Sequence, residues 1–223
     1  MSLRLFFSAI AKFTLGVLLV GLLVFLPAGT FNFPNGIVFM AFLFVPMFFA
    51  GIIMIIKNPE LLKRRLNAKE ERKEQSAVVK MSGLMFILGF VVAGLDFRFN
   101  FSRLPKVLSL IGVVLFLLSY LLYAVVLYQN TYLSRTIEVT EEHKLIDTGL
   151  YSVVRHPMYS ATLLLFLSMP LILGSLCSLI VFLLYPVIIV KRIKDEELLL
   201  ERELDGYKAY KKKVKYRLIP FIW

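Results

Sequence analysis

The 223-residue chain is 59% hydrophobic, has a mean hydropathy of +0.78 and is only 18% charged, a balance that excludes a soluble domain and puts most of it in lipid. Its formal charge of +11 comes from Lys and Arg clustered beside apolar runs, where they set topology and contact membrane lipids, so nucleic acid is excluded as a partner. Cys177 is the single cysteine, which rules out an intrachain disulfide and a cysteine-based metal site; no metal is expected.

Residues 5–26 form an apolar run broken by Lys12 and a few small polar residues. At about 1.5 Å per residue it reaches roughly 33 Å, enough to cross the hydrocarbon core. Only Arg4 precedes it and no small-residue cleavage pattern occurs before Pro27, so the run reads as a retained transmembrane helix rather than a signal peptide. The uncharged link PAGTFNFPNG leads to a second span over 36–56. Residues 57–80 carry eight Lys or Arg against four Glu and are expected as an exposed, partly helical cytoplasmic loop. A third span over about 78–95 starts beside Lys80, placed to snorkel, and ends in DFRFNFSRLPK; a fourth covers about 107–129. The 57–80 loop and the segment from 191 onward hold eight and ten basic residues, the links between spans none and three, which puts both termini on the cytoplasmic side.

Residues 1–129 thus form an N-terminal transmembrane region, and 130–223 a region left to carry chemistry. With both ends on one side, the 33-residue apolar stretch 158–190 must be a helical hairpin. Pro170, Gly174 and Ser175 are expected to supply its turn, leaving two arms of about 15 residues, each slightly short of a bilayer. The predicted fold class is an all-α polytopic membrane protein: four transmembrane helices, the C-terminal hairpin to make five to six spans, and a cytoplasmic C-terminal helix.

Two polar segments bracket the hairpin and meet at its cytoplasmic mouth. In the first, 130–157, TIEVTEEHKLIDTGLY alternates around turn formers and reads as an irregular or β-like loop. Pro157 suits the first position of a helix, and it biases His156 toward an extended backbone. The free N–H groups of that helix, with Arg155, would make an electropositive patch fit for a carboxylate or phosphate. In the second, a helix over about 187–204 puts Ile193, Glu197, Leu200 and Leu204 on one face, with Glu196 at its edge. A carboxylate on an apolar face needs a cation, with Arg192 or Arg155 at hand, or a function. Asp195, Glu201 and Glu203 are expected to face water, and KAYKKKVKYR reads as an interfacial anchor. A ligand bearing both signs of charge would fit the mouth.

GLYSVVRHPMYSA at 149–161 and DEELLLERELDGYKAYKKKVKYRLIP at 195–220 resemble the C-terminal signature of the isoprenylcysteine carboxyl methyltransferase family and its phospholipid methyltransferase relatives. The pairing of R-H-P-x-Y with a downstream E-E, G-Y-x-x-Y and R-L-I-P covers roughly the last 90 residues, from NTYLSRTIEV onward. LPAGT, NPELLKRR and GLDFRF resemble bacterial members more loosely, which implies a bacterial plasma membrane. Ala161 stands where many relatives have Gly, and Leu204-Asp205 where others have Phe-Gly.

The resemblance implies an S-adenosylmethionine-dependent methyltransferase that binds its cofactor between the R-H-P segment and the C-terminal helix. Tyr151, His156, Pro157, Tyr159, Glu196, Glu197, Tyr207 and Tyr210 are then the expected cofactor-binding residues, and Arg155, His156 and Glu197 the catalytic ones. Such a site needs a carboxylate or aromatic faces near the sulfonium, donors for the amino acid end and an apolar slot for adenine. Catalysis would come from holding a lipophilic or small acceptor in line with the methyl and excluding water. A carboxylate acceptor needs no base; a thiol or amine does, with His156 or Glu197 as candidates. The alternatives are an NADPH-dependent membrane reductase of the sterol-reductase type, whose members are generally longer, and a non-catalytic membrane module.

Overall fold

The computed structural model describes residues 3–66, 73–102, 104–130, 132–133 and 145–223. Every regular element among them is helical: α1 (Leu3–Ala28), α2 (Pro34–Lys57), α3 (Pro59–Leu66), α4 (Lys73–Phe99), α5 (Lys106–Gln129), a 3-10 turn (Gly149–Ser152), α6 (Pro157–Leu173), α7 (Leu176–Phe182), α8 (Tyr185–Glu203) and α9 (Tyr207–Lys213). Five stretches are long and apolar enough to cross a membrane: α1, α2, Gln75–Phe99 of α4, α5, and Leu176–Glu203 across α7 and α8. α6 is apolar but shorter, at 17 residues. Large side chains such as Leu18, Leu22, Phe31 and Ile53 lie exposed along the bundle, as expected where the surrounding solvent is hydrocarbon.

Several boundaries move outward from the sequence reading. α4 starts at Lys73 rather than near 78 because KEQS, rich in good helix formers, carries the helix beyond its apolar part. α3 forms within the basic loop, where Asn58 caps it by accepting the Leu61 N–H at 3.1 Å and Pro59 fills its first position. Residues 67–72 of that loop, and 134–144 of the expected β-like stretch, lie outside the described residues.

The hairpin is present, but Pro170 is not its corner. α6 runs through Pro170 to Leu173, and the chain turns at Gly174, whose φ of +75° only a residue without Cβ adopts freely. Ser175 then caps α7, its hydroxyl accepting the Ser178 N–H at 3.0 Å. The second arm is not a short one: after a break at Leu183 and Leu184, α8 takes over and carries the chain on to Glu203.

Packing places α6 at the centre. α5 lies along it, with Gly112 so close that a Cβ there would meet the Ile172 backbone nitrogen at 2.9 Å. α1 packs on α4, and α4 in turn on α7 and α8. Phe39, Phe90, Phe116 and Phe182 fill the core between them, with Phe39 and Phe90 rings 5.4 Å apart. At the hairpin turn Asp96, 1% exposed, accepts the Ser102 N–H at 2.6 Å and the hydroxyls of Ser102 and Ser175. The other end of α6, roughly 25 Å away by helix rise, carries the R-H-P segment.

Candidate active site

His156 sits just outside α6 at φ −127° and ψ 61°, out of the α region that the following proline disfavours but short of fully extended, with Pro157 as the first helical residue. The Arg155 N–H donates to the Tyr216 carbonyl and the His156 N–H to that of Arg217, each at 2.9 Å. The R-H pair is therefore laid against the chain beyond α9, not merely against the membrane.

α8 supplies the carboxylates. Ile193, Glu197 and Leu204 are buried on one face, the arrangement that the 3.6-residue period predicts. Glu197, 3% exposed, accepts Arg155 Nε at 2.7 Å on Oε1, which also lies 3.2 Å from His156 Nε2. Its Oε2 accepts Arg217 Nε at 3.0 Å and lies 3.8 Å from Lys211 Nζ. Of the two cations weighed for Glu197, Arg155 is the partner; Arg192 instead donates to the Tyr159 hydroxyl at 2.9 Å.

This changes what Arg155 offers. Its Nη1 donates to the carbonyls of Val214 and Lys215 at 2.7 and 2.9 Å, so Nε and Nη1 are both committed inside the protein. The open electropositive patch expected at Arg155 is replaced by a buried ion pair, because the tail supplies carbonyls that the sequence pattern did not place there. Glu197 is likewise engaged on both oxygens, which suits it to orienting its neighbours better than to accepting a proton.

Glu196 faces the other way. It accepts the Tyr159 hydroxyl and stands 4.0 Å from His156 Nδ1, and the His156 ring stacks on Tyr159 at 5.7 Å between centroids. In front of these groups lies a small chamber of about 80 Å³, partly open to the outside. Tyr151, His156, Tyr159, Glu196, Tyr207 and Tyr210 line it; Glu197 stands behind the wall. Tyr207 is 3% exposed, yet its hydroxyl has no partner among the described residues, and a buried donor left unmade costs roughly 1–3 kcal/mol. The other two phenols are tied in place: Asn130 Nδ2 donates to the Tyr151 hydroxyl at 3.1 Å, and the Tyr210 hydroxyl donates to the Tyr151 carbonyl at 2.7 Å. Burial pushes the Tyr151, Tyr207 and Tyr210 hydroxyls well above the usual tyrosine range, so they remain neutral.

Other expectations are revised. Tyr210 of the expected basic anchor, and Tyr207 just ahead of it, line the chamber, leaving Lys208, Lys212 and Lys213 outside. Asp195 accepts Gln75 Nε2 at 3.1 Å and Glu201 pairs with Lys211, so neither is simply solvated, whereas Glu203 is exposed. Asn130, Lys211 and Arg217 escaped the sequence reading. Arg217 stands in the R-L-I-P motif and Asn130 opens NTYLSRTIEV, but no helical period ties either to the site. No group of three metal-binding side chains occurs among the described residues.

The fold and the chamber define a class: a multi-pass helical membrane protein with a chamber lined by aromatic rings, Glu196, Arg155 and His156 at one end of its hairpin. Comparison with known proteins sharpens this. A model of the isoprenylcysteine carboxyl methyltransferase (ICMT) family matches residues 110–202, which include the R-H-P segment and both glutamates. The whole chain is similar in fold to the eukaryotic intramembrane Ras methyltransferase ICMT, solved without a monobody. That match has a TM-score of 0.57 and 20% identity and covers 99% of this chain and 85% of that one. A comparison with curated proteins gives no match. The resemblance to the isoprenylcysteine carboxyl methyltransferase family read from the sequence is borne out over residues 110–202, and the likeness of the whole chain is one of fold.

Proposed function

We propose that the protein is an S-adenosylmethionine-dependent methyltransferase acting at the cytoplasmic face of the membrane on a lipophilic acceptor, with both termini cytoplasmic. The observation that carries this reading is the chamber with the Tyr207 hydroxyl, unpaired among the described residues, on one wall and the Glu196 carboxylate on another. The residues present fit the cofactor: Glu196 opposes a cation, Tyr151, Tyr159, Tyr207 and Tyr210 offer aromatic faces, and the Tyr207 hydroxyl is ready for a polar atom of the amino acid end or ribose. When bound, the cofactor supplies an electrophilic methyl group on a sulfonium.

The chain's own residues then position and shield. Tyr159 fixes the rotamer of Glu196 by donating to it, while Arg192 fixes Tyr159. Glu197 holds His156 and Arg155 at the back of the chamber, and their backbone N–H groups lock the segment to Tyr216 and Arg217. Displacement at a methyl carbon disperses charge, so orientation and exclusion of water supply most of the acceleration. A second, apolar cavity of about 280 Å³ opens between α5 and α6, lined by Leu115, Leu163, Leu164, Leu167 and Leu171, and reaches Ser160, one residue from Tyr159. It supports a lipophilic acceptor entering from the bilayer. For a carboxylate acceptor no proton need move. For a thiol, His156 Nδ1 is better placed as a base than Glu197, whose oxygens are in use.

The test is calorimetric titration of the purified protein with S-adenosylmethionine and with NADPH, followed by transfer of a labelled methyl group to prenylcysteine, phospholipid and small thiol acceptors. Cofactor binding with label in at least one acceptor is expected. Tight NADPH binding alone would turn the assignment to a reductase, and cofactor binding without transfer to a non-catalytic module.

A further inference from the structure

We propose that Trp223 is a positioning residue of the candidate site, acting through Arg217 to hold Glu197 and the Arg155–His156 backbone. Only the turnover readout of this inference rests on the methyltransferase reading.

The segment RLIPFIW, residues 217–223, lies beyond α9 and contains Pro220, so no regular helix keeps it in place. It closes on itself instead. The Trp223 carbonyl oxygen accepts the N–H groups of Arg217 and Leu218 at 2.9 Å and of Ile219 at 3.2 Å, and the Trp223 N–H returns to the Ile219 carbonyl at 3.1 Å. Phe221 sits in this loop at φ 66°, a left-handed backbone that a bulky side chain avoids, and it is 87% exposed. Burial of its own ring therefore does not hold it there; closure of the loop onto Trp223 does.

The side chains repeat the closure. The Trp223 ring packs against the main hydrophobic core, and the Arg217 guanidinium lies over it, 5.0 Å from the ring centroid. Arg217 is the junction of the site: its Nε donates to Glu197 Oε2 at 3.0 Å and its carbonyl accepts the His156 N–H at 2.9 Å. The next carbonyl, of Leu218, accepts the Ser160 hydroxyl at 2.6 Å in the first turn of α6. The Arg217 side chain is 26% exposed, against 3% for Glu197, so water competes for it from one side. The indole covers the opposite side and limits where the guanidinium can go. Trp223 contacts neither chamber nor carboxylate in this arrangement; it decides whether Arg217 stays on Glu197.

Trp223 is the chain's one tryptophan, so its fluorescence reports on the clamp directly in the full-length protein in lipid nanodiscs. Without any ligand, Arg217→Gln is expected to raise acrylamide quenching of Trp223 about twofold and shift its emission to the red, as the loop loosens. Unchanged quenching would overturn the clamp. In turnover, Trp223→Leu keeps an apolar side chain but removes the aromatic face. It is expected to raise the KM for S-adenosylmethionine about tenfold with kcat within about threefold, and Trp223→Phe to recover most of the loss. Equal kinetics in the Leu variant and the unaltered protein, or equal loss in Leu and Phe, would also overturn it. A protein that binds no S-adenosylmethionine refutes the methyltransferase reading instead, and the quenching arm still decides the clamp.

Discussion

Among the described residues two carboxylates are buried, at opposite ends of α6, and they are satisfied in different ways. Asp96, at the hairpin turn, takes an N–H and two serine hydroxyls, and among the described residues no cation pairs with it. Glu197, at the mouth, takes Arg155 and Arg217 and lies beside His156 and Lys211. Neutral donors from neighbouring turns are enough to close a corner. A charged network drawn from separate chain segments, the R-H-P loop, α8 and the tail, does something a corner does not require: it fixes three segments relative to one chamber. Buried ion pairs of this sort contribute little net stability and much geometry.

The contrast can be broken at several points. Arg155→Leu should have the largest effect, since it leaves Glu197 buried with its shortest partner gone; a loss of about 3–5 kcal/mol is expected, read as a lowered unfolding midpoint in detergent. Glu197→Gln, which keeps shape but removes charge, should lower turnover about a hundredfold through misplacement of His156, with the solubilised protein still folded by circular dichroism. Asp96→Asn is the matched control: it should lower stability by about 1–2 kcal/mol and leave S-adenosylmethionine affinity within error by calorimetry. A large affinity loss there would erase the distinction between the two ends.

Smaller effects test the chamber itself. Tyr207→Phe removes a hydroxyl that has no partner among the described residues, so the ligand-free protein should be as stable as before or slightly more, while cofactor affinity falls about tenfold. Loss of stability without loss of affinity would mean that the hydroxyl has a structural partner. The smallest effect concerns pH. The Tyr151, Tyr207 and Tyr210 hydroxyls are raised above the usual tyrosine value of about 10 by burial, so their contribution to stability is complete below that pH and is lost only as pH climbs toward the folded-state values. Ultraviolet titration should therefore show phenolate forming from the exposed tyrosines first, with these three ionising only as the protein unfolds.

Much of this was legible in the sequence, and the reasons differ by region. The long spans declare themselves through uninterrupted apolar length, and Glu197 through its place on the Ile193–Leu204 face of a helix. Turns are a weaker signal: Pro170 and Gly174 both invite one, and only the left-handed φ at Gly174 identifies the corner. Least legible were Asn130, Lys211 and Arg217, because they reach the site by tertiary contact from irregular segments or from a short helix. Arg155 was found, but its partners were not, since backbone carbonyls at 214 and 215 leave no trace in residue type.

The pairing of Arg155 with the tail also dictates an order of assembly. α6 can enter the bilayer as soon as it is made, but the guanidinium just ahead of it finds its carbonyls only when Val214 and Lys215 have been synthesised, roughly sixty residues later. Until then Arg155 must wait in interfacial water, where a charged side chain is at ease. The apolar frame is thus built first, and the wall behind the chamber is completed later, by the segment beyond α9.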